Sequence, residues 1–285
     1  MTERRTKLHE SPALVPSLGL ACLSLLGGCG GSGGGGGSSG GDATGPIAVT
    51  SANAETLATA ALDVAAIVDS LPASASRYGN SGGQVDCVPG SLEISTSAGD
   101  SSDTITTPSG NVISPPATGD TVLDYTDCLE AGYVKSGVAA VSDTGGGLRV
   151  RWMNMRLEHP LIDQSNVVGA AIFSNASGTI YRIDDLTVTQ GSDSFYAVGQ
   201  IDFLSSMPRE LRFDVQLRFA DGSAQVTAPQ RLTGTAGMPF DGGELLIQGD
   251  SSSVTVMPQG GGFYRLEIDT DGVDPPEIIR DAVAL

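Results

Sequence analysis

Strict alternation of apolar and polar residues is the feature that most restricts this chain. Leu211, Phe213, Val215, Leu217 and Phe219 alternate with Arg212, Asp214, Gln216 and Arg218. Successive side chains of a strand point to opposite faces, so this segment is a strand with one face buried and the other in water. Tyr264, Leu266 and Ile268 repeat the pattern against Arg265 and Glu267, and Val254 and Val256 repeat it against Ser253 and Thr255. In 148–159, Leu148, Val150 and Trp152 share one parity while Met153, Met155 and Leu157 share the other. That switch predicts a bulge or a bend where the strand changes face. Further strands are expected over 91–96, 119–126, 132–142, 167–174, 178–189 and 194–204.

The intervals between these segments are short and rich in turn residues: Gly145-Gly146-Gly147, Asn175-Ala176-Ser177-Gly178, Gly191-Ser192-Asp193, Ala220-Asp221-Gly222 and Gly260-Gly261-Gly262. Strands so closely spaced form antiparallel meanders, since a parallel connection needs a crossover of a dozen residues or more. Asp221-Gly222 is the clearest hairpin signal. The Ser/Thr/Pro/Gly-rich segment 97–118 is expected to be a loop or a weak edge hairpin. One helix precedes the strands, over about 52–71. Leu57, Ala61, Val64, Val68 and Leu71 form an apolar stripe at helical spacing, Ala-rich sequence favours the state, and Pro72 is expected to stop it. Its polar face carries Glu55, Asp63 and Asp69, not the Lys/Arg of a helix that lies on a membrane. The expected fold is mainly β (α+β): one N-terminal helix packed on a large curved antiparallel sheet, half-barrel-like, in a single domain over 47–285. A closed barrel or a β-sandwich is the alternative.

The first 46 residues have a different character. Residues 1–28 read as a secretory signal, with Arg4, Arg5 and Lys7 ahead of an apolar run from Leu14 to Leu26 that is too short and too Pro/Gly-broken to span a bilayer. No other stretch is expected to approach the roughly 20 apolar residues of a membrane helix. Leu26-Gly27-Gly28-Cys29 resembles the lipobox of bacterial lipoproteins. The resemblance implies that the signal is cut before Cys29 and that its thiol carries a diacylglyceryl group, usually with an acylated amino terminus. More than one acyl chain makes such an anchor stable. Gly30, where aspartate marks inner-membrane retention in that family, implies the outer membrane. Residues 29–46 then form the lipidated Cys and a Gly/Ser-rich tether, a flexible coil with a root-mean-square span of about 20–24 Å over its sixteen low-complexity residues. With no Lys-Ser/Thr after it, the glycine run is no phosphate loop.

Cys22 leaves with the signal and Cys29 is committed to lipid, which leaves Cys87 and Cys128. Two cysteines in an exported domain most simply form a disulfide. A two-Cys metal site fits less well, because the spacing is long and His159 is the one histidine beyond the signal. The chain holds 15 Lys+Arg against 33 Asp+Glu, a net charge of −18. The three basic and three acidic residues before position 47 cancel, so all of it belongs to the domain. A chain so acidic is not built to neutralise phosphates, which argues against a nucleic-acid partner.

A wider resemblance rests on Cys87-x-x-Gly90-x-Leu92-x-Ile94, Gly119-Asp120, Tyr125-x-Asp127-Cys128, Gly243-x-Leu245-x-Ile247-x-Gly249 and Asp269-x-Asp271-Gly272. With the lipobox and tether, these are similar to functionally uncharacterised lipoproteins of Gram-negative bacteria, a likeness that implies location and brings no activity. The architecture alone resembles the half-barrels of periplasmic lipoprotein carriers and their outer-membrane receptor.

Motifs for chemistry are sparse. There is no G-x-S-x-G elbow, and a serine–histidine–acid device would have to use His159, which precedes Pro160. The carboxylate pairs Asp184/Asp185, Asp124/Asp127 and Asp269/Asp271 could serve glycoside hydrolysis, but solvated charge is their default in so acidic a chain. Asp269-Thr270-Asp271-Gly272-Val273-Asp274 resembles the start of a calcium loop, with Asp269, Asp271 and Asp274 as ligands. It departs from one at Val273 and lacks a Glu at the twelfth position. No other cofactor is expected. The functional expectation is a non-enzymatic envelope lipoprotein, a binding or structural module with the membrane as partner and either an apolar ligand under the helix or an envelope protein as a further one. The alternatives are a carboxylate-based envelope hydrolase and a surface-exposed acidic adhesin.

Overall fold

The computed structural model describes residues 45–80, 82–99, 105–106, 112–159, 162–174, 179–206, 209–235, 238–273 and 275–285. They lie in one compact unit, Gly41–Leu285. Helices α1 (Ala54–Asp69) and α2 (Leu71–Ala75) come first. Strands β1 (Gly83–Asp86), β2 (Ser91–Thr96), β3 (Ile105–Thr106), β4 (Val112–Ile113), β5 (Thr121–Glu130), β6 (Tyr133–Asp143), β7 (Leu148–His159) and β8 (Ile162–Ser174) follow. The chain continues through β9 (Thr179–Gln190), β10 (Asp193–Ser206), β11 (Arg209–Phe219), β12 (Gly222–Gly234), β13 (Phe240–Gln248), β14 (Ser253–Gly260), β15 (Phe263–Asp269) and β16 (Ile278–Ala284).

Fourteen of these strands form one antiparallel sheet in chain order, from β1 at one edge to β16 at the other. The exception is β3–β4, a separate two-stranded hairpin inside the 97–118 segment. The sheet is open, a single curved layer with the helix on it, and neither a closed barrel nor a sandwich. Strands β12, β13 and β16 and the first residues of β8 extend the pattern beyond the segments the alternation marks, because bulges in β12 and β13 and small residues in β16 interrupt the period.

Curvature has a visible cause. Four glycines with positive φ, Gly137, Gly169, Gly199 and Gly243, sit on β6, β8, β10 and β13 where the neighbouring backbone comes very close. A Cβ on Gly137 would lie 2.0 Å from the Asn154 carbonyl oxygen, and one on Gly199 would lie 2.3 Å from that of Asp214. The ladder slips register beside the first three, at Val138/Ala139, Ala170/Ala171 and Ala197/Gly199. Repeated glycine kinks and bulges are how an antiparallel sheet turns a corner. The parity switch in β7 falls in the same belt: Trp152 and Met155 are both buried, with the slip between them.

The concave face is filled by α1. Leu57, Ala61, Val64, Val68 and Leu71 are buried as the stripe requires, but so are Ala58, Ala60, Leu62, Ala65 and Ile67. The helix is thus wrapped on most sides by the sheet. Fully burying each of its larger side chains is worth about 1.5–3 kcal/mol. Two sequence expectations need correction. Pro72 does not end the helical path: it occupies the first turn of α2, where its missing N–H costs nothing. Further, the run Ala54–Ala75 is apolar and long enough to cross a membrane by length and composition, yet two thirds of its most apolar window is buried inside the domain.

Asp221-Gly222 also acts differently from a simple hairpin turn. Phe219 pairs with Gly222, so the two-residue loop is Ala220-Asp221. The space at Gly222 is taken by the entering chain: a Cβ there would meet the Gly45 carbonyl oxygen at 2.9 Å. Residues 45–50 run beside the start of β12 and the β13–β14 turn, where the Ile47 N–H donates to the Ser223 carbonyl and the Asp250 N–H to that of Ile47.

Candidate functional site

The disulfide expectation is met. Cys87 and Cys128 are bonded, with Cα atoms 5.0 Å apart and a sequence separation of 41. Cys128 follows a bulge in β5 at which Asp127 has positive φ, and the β1–β2 loop closes over it: the Leu129 N–H donates to the Pro89 carbonyl. Cys29 and Asp274 lie outside the described residues. So does Pro160, and His159 is placed only as the last residue of β7, paired with Ile162.

Asp269 and Asp271 come together with Glu277, a residue the sequence pattern did not single out, with one carboxylate oxygen of each within 4.8 Å of the others. These oxygens already serve the turn. Asp269 Oδ1 accepts the N–H groups of Asp271 and Gly272, Asp271 Oδ1 accepts that of Val273, and Glu277 Oε2 accepts that of Thr270. The Val273 N–H favours the Asp271 carboxylate, but its hydrogen bond to Glu277, partial desolvation and the charges of Glu277 and Asp269 outweigh it, and the group sits above its ordinary value.

Two cations missed by the sequence reading face the core and hold the C-terminal end of the helix. Lys135 shares the inward parity of Tyr133 on β6, and Arg209 shares that of Leu211 and Phe213 on β11. That parity was the available signal. Lys135 Nζ donates to Glu130 Oε2 at 2.9 Å, to Ser74 Oγ at 3.1 Å and to the Ser70 carbonyl at 3.3 Å. The Tyr125 hydroxyl reaches Ser74 and Glu130, and Arg77 closes the group from outside. Arg209 donates to Asp69 at 2.6 Å and to the Met238 carbonyl, and lies 4.2 Å above the Phe240 ring. Cations at a helix C-terminus also oppose its negative end. Burial acts to raise the Glu130 carboxyl, but the Lys135 ammonium and the Arg77 guanidinium prevail and hold it below the usual range. Burial pulls Lys135 down from the ordinary lysine value against the pull of Glu130. A serine beside a lysine is a nucleophile–base arrangement in principle. Here Ser74 and Lys135 are each about 1% exposed and the ammonium is committed to Glu130, so a substrate would have to displace the helix. The group secures α2 to the sheet.

The outer face carries a cavity of about 290 Å³. Arg149 and Arg151 on β7 form one wall, Asp184 and Asp185 on β9 the other, and Val112–Ser114 cross above. Both acids face outward because β9 bulges at this point, with Ile183 opposite Gly199 and Leu186 opposite Ala197. Arg151 staples the covering segment: it donates to the Ser114 and Pro115 carbonyls and pairs with Asp120. Asp184 is shared by Arg182 at 3.0 Å and Arg149 at 3.4 Å. Asp184, one of the carboxylate pair noted in the sequence, is thus engaged by two guanidinium groups. No known family model, curated protein or solved structure matches the chain.

Proposed function

We propose that this chain is a non-enzymatic lipoprotein of the Gram-negative cell envelope, held at the outer membrane through acyl chains on Cys29 and carrying its β domain as a structural or binding module. The observation that carries this reading is the order Leu26-Gly27-Gly28-Cys29, then a Gly/Ser run, then a disulfide-bonded domain. The likeness to uncharacterised lipoproteins supports the same location. Binding by such a module uses the outer face, since α1 fills the concave one and an apolar ligand there has to displace it. Metabolic labelling with palmitate tests the anchor. Label is expected in the membrane-bound chain and absent from Cys29→Ser. Equal labelling of the variant, or none in the parent, overturns the proposal.

A further inference from the structure

We propose that the open edge of the sheet at β1 takes up an extended basic segment of another protein as an added strand. The proposal deepens the reading of the outer face as a binding surface. It does not depend on the lipid anchor, so a failed palmitate labelling leaves it standing. It starts from how charge is spread along the chain. Residues 78–134 hold eight Asp and Glu and no Lys, Arg or His. Asp120 and Glu130 find cations outside that segment, in Arg151 and Lys135. Asp86, Glu93 and Asp124 are exposed and have no hydrogen-bond or ion-pair partner among the described residues. Glu93 on β2 lies directly opposite Asp124 on β5. Like charges so placed repel each other. With Gln84, Ser91 and Thr126 they line an outer-face cavity of about 330 Å³, and Asp86, paired with Ser91, flanks it from β1.

The edge beside this cavity has main-chain groups to offer. The Cys87 N–H donates to the Gly90 carbonyl, which fixes the bonding phase of the β1–β2 hairpin. Antiparallel pairs alternate between bonded and non-bonded. Gly83, Val85 and Cys87 therefore bond to β2, while the N–H and C=O groups of Gln84 and Asp86 point to the open side. Those groups have no hydrogen bond among the described residues, and β1 ends the sheet there. Strand addition at such an edge takes its affinity from the main chain and its specificity from side chains at alternate positions. Lysine or arginine on the outer side of the added strand stands beside Gln84 and Asp86. Glu93 is then two strands, or roughly 10 Å between Cα atoms, away, which two long side chains span. On the inner side, apolar residues at the alternate positions continue the layer of Val85, which is half-buried against the core. A second copy of this chain does not fit. Its β1 brings Asp86 to an acidic edge, and its β16 is interrupted at Ala282, where φ is 55° and the Gln259 side chain takes the N–H.

The test uses the full-length chain in mild detergent at low ionic strength, with fluorescently labelled acetyl-KVKVKV-amide as probe. Anisotropy is expected to show saturable binding of this peptide. No binding is expected of the EVEVEV analogue, or of a form N-methylated at every residue, which keeps the charge and loses the donors. Glu93→Gln with Asp124→Asn is expected to weaken binding about tenfold or more, as the loss of charge-assisted hydrogen bonds implies. Because the double variant relieves a repulsion, it is expected to melt no lower than the parent. Gln84→Pro removes one outward N–H without breaking the β1–β2 ladder and is expected to weaken binding to a similar degree. Asp241→Asn, an exposed acid on β13, is expected to leave binding unchanged. No binding of the basic peptide, equal binding of its N-methylated form, or full binding by the Glu93/Asp124 variant overturns the proposal. So does a dimer of the free chain that Gln84→Pro dissolves.

Discussion

Replacing Gly199 by alanine tests how the sheet turns. A Cβ at this position would lie 2.3 Å from the Asp214 carbonyl oxygen and 2.8 Å from Val215 Cα. Both are backbone atoms of the adjacent β11, so neither can rotate away. The strands must move apart or the ladder must slip, at about 1–3 kcal/mol for an overpacked contact. The backbone has φ of +141°, a region that is nearly glycine-only and costs a further 1–3 kcal/mol or so for an L-residue. The expected loss is therefore about 2–6 kcal/mol, a large share of a typical 5–15 kcal/mol stability. Gly191→Ala is the control. It has φ of +57° in the β9–β10 turn, with open space around the new methyl, so only the conformational cost of about 1–2 kcal/mol remains. Urea unfolding, followed by the fluorescence of the single, fully buried Trp152, measures both variants. The reasoning fails if Gly199→Ala costs no more than Gly191→Ala, because close strand approach then does not set the curvature.

Other outcomes follow from the same structure. Cys128→Ala is expected to lose up to about 4 kcal/mol by the chain-entropy argument for a loop of this length, measured as a drop in urea midpoint. Lys135→Met leaves Glu130 buried with Arg77 alone and is expected to cost about 3–5 kcal/mol, while Lys135→Met with Glu130→Gln recovers part of it; additive losses in the two variants contradict the pairing. The folded-state carboxyl of Glu130 is depressed, so its stabilisation is present above the unfolded value near 4.5 and fades as pH falls through the folded one. Glu130→Gln should flatten that acid limb in a pH series of melts. Burial raises the phenols of Tyr125, Tyr133, Tyr181 and Tyr264, so their contribution is complete below pH 10 and is lost as pH rises beyond it. Phenolate absorbance is expected to show them ionising only together with unfolding, and early titration of all six tyrosines contradicts that burial.

The architecture was legible where the sequence obeys one rule over several residues. Alternation from Leu211 to Phe219 placed β11, and the parity switch at Trp152 and Met153 marked the β7 bulge. Cysteine arithmetic left one pair in the domain, and Cys87 and Cys128 are joined. The outer-face site was not legible. Asp184-Asp185 stood out as a carboxylate pair, but nothing local says that β9 bulges there, or that arginines from β7 and a segment near residue 114 meet it. Lys135 and Arg209 were readable only as charges at core-facing positions, without their partners.

The sequence by itself determined most of the strands, the long helix α1 and the pairing of the two domain cysteines. These depend on neighbours within a few residues, or on counting. Tertiary structure alone decided that the sheet stays open and wraps the helix on most sides, that buried cations hold the helix end, and that two charged walls enclose a cavity. Those features join residues tens to more than a hundred positions apart, and they arise from how far each glycine kink bends the sheet. That angle is set by backbone approach between strands, which no local pattern of side chains records.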